Sequence, residues 1–115
     1  MAVTLTFVET EVFTRRAVRL GLEPALRRLQ LELAANPEAG ALEPGTGGLR
    51  KVRIPDPSRG KGKRGGARVH YLWLPHRHPI YLVFFYSKDE AESLGADQRK
   101  ALRAIMERIK QEGSR

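Results

Sequence analysis

Eight cations and a single acid fall between residues 50 and 68: Arg50, Lys51, Arg53, Arg59, Lys61, Lys63, Arg64 and Arg68 against Asp56. Side chains of this kind at this density bind polyanions, because each phosphate they neutralise releases condensed counter-ions. The same stretch holds Gly60, Gly62, Gly65 and Gly66, and without side chains there the backbone N–H groups can approach a phosphate closely. The chemistry implied is the gripping of a nucleic-acid backbone. The chain carries a net charge of +8, and this one window supplies +7 of it, so the basicity is local rather than a property of the whole surface. Runs of Lys and Arg are often just solvated faces. Here the cations lie on strands as well as in a loop, which a solvated patch does not require.

Placement follows from strand alternation. In the strand from Leu49 to Ile54, Lys51 and Arg53 share one face with Leu49, while Val52 and Ile54 point to the other. Arg68 lies two residues before His70 in the next strand, so if one faces the cleft the other does too. Lys51, Arg53, Arg68 and His70 then form one concave surface, with Arg50, Arg59, Lys61, Lys63 and Arg64 as further contacts to nucleic-acid backbone. A lone histidine in a strand is more often structural than catalytic, which ranks His70 behind the cations. His76 and His78 sit in a proline-bounded turn with no carboxylate nearby, and no metal site is expected. PGTGG and GKGKRGG resemble nucleotide loops, but neither ends in the Gly-Lys-Ser/Thr of a Walker motif. The absence of cysteine excludes disulfides, thiolate zinc sites and cysteine nucleophiles.

The elements that position these residues read as a single domain over 1–115, a length too short for two cores. The apolar share of 41% favours a folded chain over a disordered one. VTLTFV at 3–8 alternates as a half-buried strand. Thr10 caps a helix carrying Val12, Phe13 and Val18, and Gly21 ends it. A second helix starts near Glu23 and Pro24, with Leu22, Leu26, Leu29 and Leu33 as its buried stripe and Arg27, Arg28 and Glu32 in water. Residues 36–48 read as a loop and 56–66 as a second, mobile one. Strands are expected at 67–74 and 80–86, joined by PHRHP, the latter apolar on both faces and therefore central. A last helix from Asp97 to about Lys110 presents Leu102, Ile105, Met106 and Ile109 on one side; any exposed part of that stripe would suit a partner protein. The expected fold is α+β, in the order β-α-α-β-β-β-α, with a small, mostly antiparallel sheet. The N-terminus lacks a signal-peptide pattern and no apolar run would span a bilayer, so a cytoplasmic protein without a membrane partner is expected.

An ordered set of motifs, FVETEVF, ELAANPEAG, PGTGGLRKVR, GKRGGARVHYLW, IYLVFFYSKDE and ADQRKAL, resembles the RelE/ParE superfamily of bacterial toxin–antitoxin pairs, most of all its HigB-like branch. The resemblance implies a small twisted sheet with two N-terminal helices on one side. It also implies a ribosome-dependent endoribonuclease that cuts messenger RNA in the ribosomal A site without metal or cofactor, and a cognate DNA-binding helix-turn-helix antitoxin. Cleavage by the RNA's own 2′-hydroxyl needs a base, stabilisation of the phosphorane and an acid for the leaving 5′-oxygen. The resemblance carries Lys51, Arg53 and Arg68 into this site: Lys51, crowded by arginines, as the base candidate, and the two arginines as the phosphate clamp. Lys88 matches, more loosely, a basic region near the leaving group. Where RelE has a base-stacking tyrosine this chain has Leu94, which leaves Tyr71, Tyr86 and Trp73 as stand-ins, each in a strand where an aromatic is more often core. Two other readings share these features: a ParE-type gyrase poison on the same fold, and a non-catalytic RNA- or ribosome-binding module.

Overall fold

The computed structural model describes residues 7–55, 66–75, 79–87 and 95–112. Among them are three helices and a five-stranded mixed sheet, an α+β fold. The order is β1 (Phe7–Glu9), α1 (Glu11–Leu20), α2 (Glu23–Ala35), β2 (Ala41–Leu42), β3 (Arg50–Ile54), β4 (Ala67–Trp73), β5 (Ile80–Ser87) and α3 (Ala96–Glu112). The strands lie β1-β5-β4-β3-β2 across the sheet. β1 runs parallel to β5 and the remaining neighbours are antiparallel. Two features differ from the expected order. The stretch read only as loop contributes β2, a pair of residues too short to show alternation. β1 begins at Phe7, and the expected residues 3–6 lie outside the described ones, as do 56–65 and 76–78.

One hydroxyl organises the entry to α1. The Thr10 Oγ1 accepts from the Phe13 N–H at 3.2 Å, capping the helix, and donates to the Val83 carbonyl at 2.6 Å. Val83 needs that donor. The β4–β5 register passes from Tyr71↔Leu82 to His70↔Phe84, so Val83 is the extra residue of a bulge and loses its ladder partner. At its other end α1 stops at Gly21, whose φ of +66° lets its N–H reach back to the carbonyls of Ala17 and Val18, a left-handed cap open to glycine without steric cost. α2 starts with proline in its first turn and buries Leu26, Leu29 and Leu33, with Leu22 at its cap, as the leucine spacing predicts.

The core has two layers, one on each face of the sheet. On the first, Phe13 and Ala17 of α1 and the α2 leucines pack on Ile54, Val69, Tyr71, Ile80, Leu82 and Phe85. On the second, Leu102 and Met106 of α3 pack on Leu49, Leu72, Val83 and Tyr86. β5 is an interior strand, between β1 and β4, and is covered on both sides, as its two-sided apolar pattern requires. The bulge makes Val83 and Phe84 face the same layer, so alternation changes phase in mid-strand. On α1, Val12 and Val18 are 47% and 61% exposed, because the stripe facing the sheet runs through Phe13 and Ala17 instead. Tyr71, fully buried, donates from its hydroxyl to Pro37 O at 2.6 Å and accepts from Gly40 N at 2.9 Å. It ties the α2–β2 connection to the sheet.

Candidate polyanion-binding face

β3 and β4 pair in a register that sets Lys51 opposite His70 and Arg53 opposite Arg68. Directly paired residues project to the same side of a sheet, so all four lie on the face that carries Leu49 and α3. The first residue after the β3–β4 connection to be described, Gly66, lies so close to β3 that a Cβ there would stand 1.8 Å from the Ile54 carbonyl oxygen. Only a glycine permits that approach, and the Gly66 carbonyl then accepts from Arg68 NH1 at 3.1 Å.

Access differs among the four. Arg53 is exposed and Lys51 half-buried. Arg68 is only 4% exposed and His70 has no exposed surface, so the open cleft expected around these two is corrected: both are buried. Burial holds the His70 imidazole down at a pKa of about 4, with Lys51 and Arg99 adding to the shift and Glu43 opposing it. The ring stacks on Tyr86, centroids 5.6 Å apart. Among the described residues neither ring nitrogen of His70 nor the Tyr86 hydroxyl has a hydrogen-bond partner. Burial likewise raises the Tyr86 phenol above its ordinary value.

The structure adds two residues that sequence reasoning missed. Glu43, its side chain 8% exposed, lies between Lys51 Nζ at 3.5 Å and Arg99 NH2 at 3.6 Å. The carboxylate is fixed by a turn in which the Glu43 N–H donates to Leu49 O, the Thr46 hydroxyl donates to Glu43 O, and the Leu49 N–H donates to that hydroxyl. Nothing in a segment rich in glycine and proline marks an acid for burial. Arg99 does carry a signal, since it precedes Leu102 and Met106 by three and seven residues and so continues the buried stripe of α3. Its guanidinium also donates to Pro44 O. The expected surroundings of Lys51 are thereby corrected: it pairs with a carboxylate, where the cation-rich sequence suggests only arginines.

No known family model matches the chain.

The remaining predicted contacts separate. Arg50, expected beside the others, faces the opposite side, where its NH1 donates to Gly40 O at 2.8 Å; alternation puts it with Val52 and Ile54. Arg59, Lys61, Lys63, Arg64 and Lys88 lie outside the described residues, as does Leu94. Of the proposed stacking aromatics, Tyr71 and Tyr86 are core residues and Trp73 packs against the α1–α2 layer. Among the described residues no group of three or more His, Cys, Asp or Glu side chains could hold a metal ion, and no helix is long and apolar enough to cross a membrane. What the face assembles is Lys51 and Arg99 paired to one carboxylate, with Arg53 and Arg68 on the same face of the sheet, a net positive cluster with a neutral histidine among them. Such a cluster can bind phosphodiester oxygens in more than one place, with Arg supplying paired donors and Lys a point charge.

Proposed function

We propose that this chain is a ribosome-dependent endoribonuclease of the RelE/HigB type, the toxin of a type II pair, acting in the cytoplasm on messenger RNA in the A site. The observation that carries the reading is the register bringing Lys51 and Arg53 of β3 beside His70 and Arg68 of β4, because the same cations carry the motif resemblance. In this reading the phosphate enters between Lys51 and Arg53 and competes with Glu43 for the Arg99 charge, while Lys51 reacts as the free amine. Lys51 takes the 2′-hydroxyl proton, the 2′-oxygen bonds to phosphorus, and the 5′-oxygen leaves with a proton, Lys88 being the donor that the resemblance suggests. Arg53 and Arg68 hold the non-bridging oxygens, and neither metal nor cofactor takes part. The partner is a helix-turn-helix antitoxin that binds DNA and covers the basic face.

The burial of Arg68 and His70 favours a second reading, a non-catalytic RNA- or ribosome-binding module gripping backbone through Arg53 and Lys51. One experiment separates the two. Expression of wild type and of a Lys51→Ala, Arg68→Ala variant, with mRNA ends mapped during translation, gives codon-phased cuts with the wild type alone if the nuclease reading holds. Intact mRNA with salt-sensitive ribosome binding leaves the binding module. Intact mRNA with an SOS response points instead to a gyrase poison.

A further inference from the structure

The two flanks of α3 differ in chemistry. On one, Arg99 and Lys110 reach the β2–β3 connection, Lys110 Nζ donating to Gly47 O at 2.8 Å. On the other, Ala101, Leu102 and Ile105 face the start of α1 across Val12, Val83 and Phe84, leaving a groove of about 230 Å³ lined almost wholly by carbon. Helical spacing produces this division: 99, 103, 106 and 110 form one stripe and 98, 101, 105 another. Val12 and Ile105, at its rim, are 47% and 37% exposed, an apolar exposure that serves no packing within the fold. The groove is smaller than the ~300–1,000 Å³ of small-molecule sites, and suits one or two aliphatic side chains of a protein.

Charge narrows the kind of protein. Val12 also lines a second cleft, formed with Arg15, Arg16 and Arg19, so the apolar groove adjoins three arginines spread over little more than one turn of α1. Arg16 is held in place: its guanidinium lies 5.3 Å from the Phe84 ring centre and its Nε donates to Phe85 O at 3.0 Å. Glu11 offsets part of this charge through an exposed pair with Arg15 at 3.7 Å. A basic helical partner would be repelled here, whereas one with acids a turn or two from its apolar stripe would pair with the arginines as its aliphatic side chains enter the groove.

We propose that the groove between α1 and α3 receives the apolar face of an acidic amphipathic helix from a partner protein. The surface is separate from the cation cluster of β3 and β4, and the proposal does not depend on the nuclease reading. The probe is a labelled peptide of about 18 residues, five helical turns, with leucines at i, i+3, i+4 and i+7 and glutamates flanking them. A twin carries lysines in place of the glutamates. Fluorescence anisotropy at about 50 mM salt, where screening is weak, should show the acidic peptide binding at least about tenfold more tightly than its twin. Ile105→Asp and the pair Arg15→Glu, Arg19→Glu should each weaken it by about tenfold or more, all three positions being exposed and tolerant of change, whereas Arg53→Glu, in the cation cluster of β3 outside the groove, should leave it unaltered. Equal binding of the two peptides, no binding, or loss through Arg53→Glu but not Ile105→Asp would overturn the proposal. So would a dimer in sedimentation that Ile105→Asp dissociates, since the occupant would then be a second copy of this chain.

Discussion

Replacing His70 by leucine while lowering the pH examines the packing of the cation face directly. The imidazole is fully buried, its nitrogens have no partner among the described residues, and its pKa falls from 6.5 to about 4 on folding. Between those two values the unfolded chain holds a proton that the folded chain refuses. The unfolded state therefore binds more protons, and stability falls as the pH falls; above about 6.5 the contribution disappears. At ~1.36 kcal/mol per unit, the full effect is about 3 kcal/mol below pH 4, and about 2 kcal/mol already separates pH 7 from pH 5. His70→Leu removes both the titration and two unsatisfied buried nitrogens. It should be as stable as the wild type at pH 7, or more so by about 1 kcal/mol. Urea unfolding of both proteins at pH 7, 6 and 5 measures this, and carboxylates titrating in both cancel in the difference. A parallel decline of the two curves would refute the buried neutral histidine. So would a loss of more than about 2 kcal/mol at pH 7, which would mean that the ring nitrogens are engaged.

Other substitutions address separate contacts. Glu43→Gln leaves Lys51 and Arg99 without their shared counter-ion; because both cations are a quarter or more exposed, the cost in urea unfolding should be about 1–2 kcal/mol. The same variant should bind single-stranded RNA more tightly, with a steeper salt dependence by about 0.7 in the log–log slope if one further phosphate is neutralised. Tyr71→Phe strands the Gly40 N–H and the Pro37 carbonyl and should cost about 1–3 kcal/mol, with faster proteolysis of the α2–β2 connection. Thr10→Ala removes a helix cap and the donor to the bulged Val83 carbonyl. Its loss should reach about 2 kcal/mol, the upper end for a cap, measured by thermal unfolding.

Much of the frame was legible because local physics governs it. Thr10 and Gly21 bound α1 as their types predict, and the spacing of Leu22, Leu26, Leu29 and Leu33 marks the buried stripe of α2. Alternation placed Lys51 and Arg53 together, and would have set Arg50 on the other face had it been followed one residue further back. What escaped depends on contacts distant in sequence. The burial of Arg68 and His70 is not marked by their strand, and Glu43 is held by Arg99, fifty-six positions later. The bulge at Val83 cannot be read from an unbroken apolar strand, since either phase leaves a hydrophobic residue on each face.

The pairing of β1 with β5 constrains the order in which the molecule can be made. The first described strand has its only sheet neighbour, among the described residues, at Ile80–Leu82, and the Thr10 hydroxyl waits for Val83. During synthesis α1 and α2 therefore emerge with no sheet to pack against, and their leucines stay exposed until β5 arrives. The cation face is later still, since Arg99 follows the last strand. A nascent chain remains an unassembled and aggregation-prone precursor until β5 has been made, and the basic surface gains its shape only once α3 has joined it.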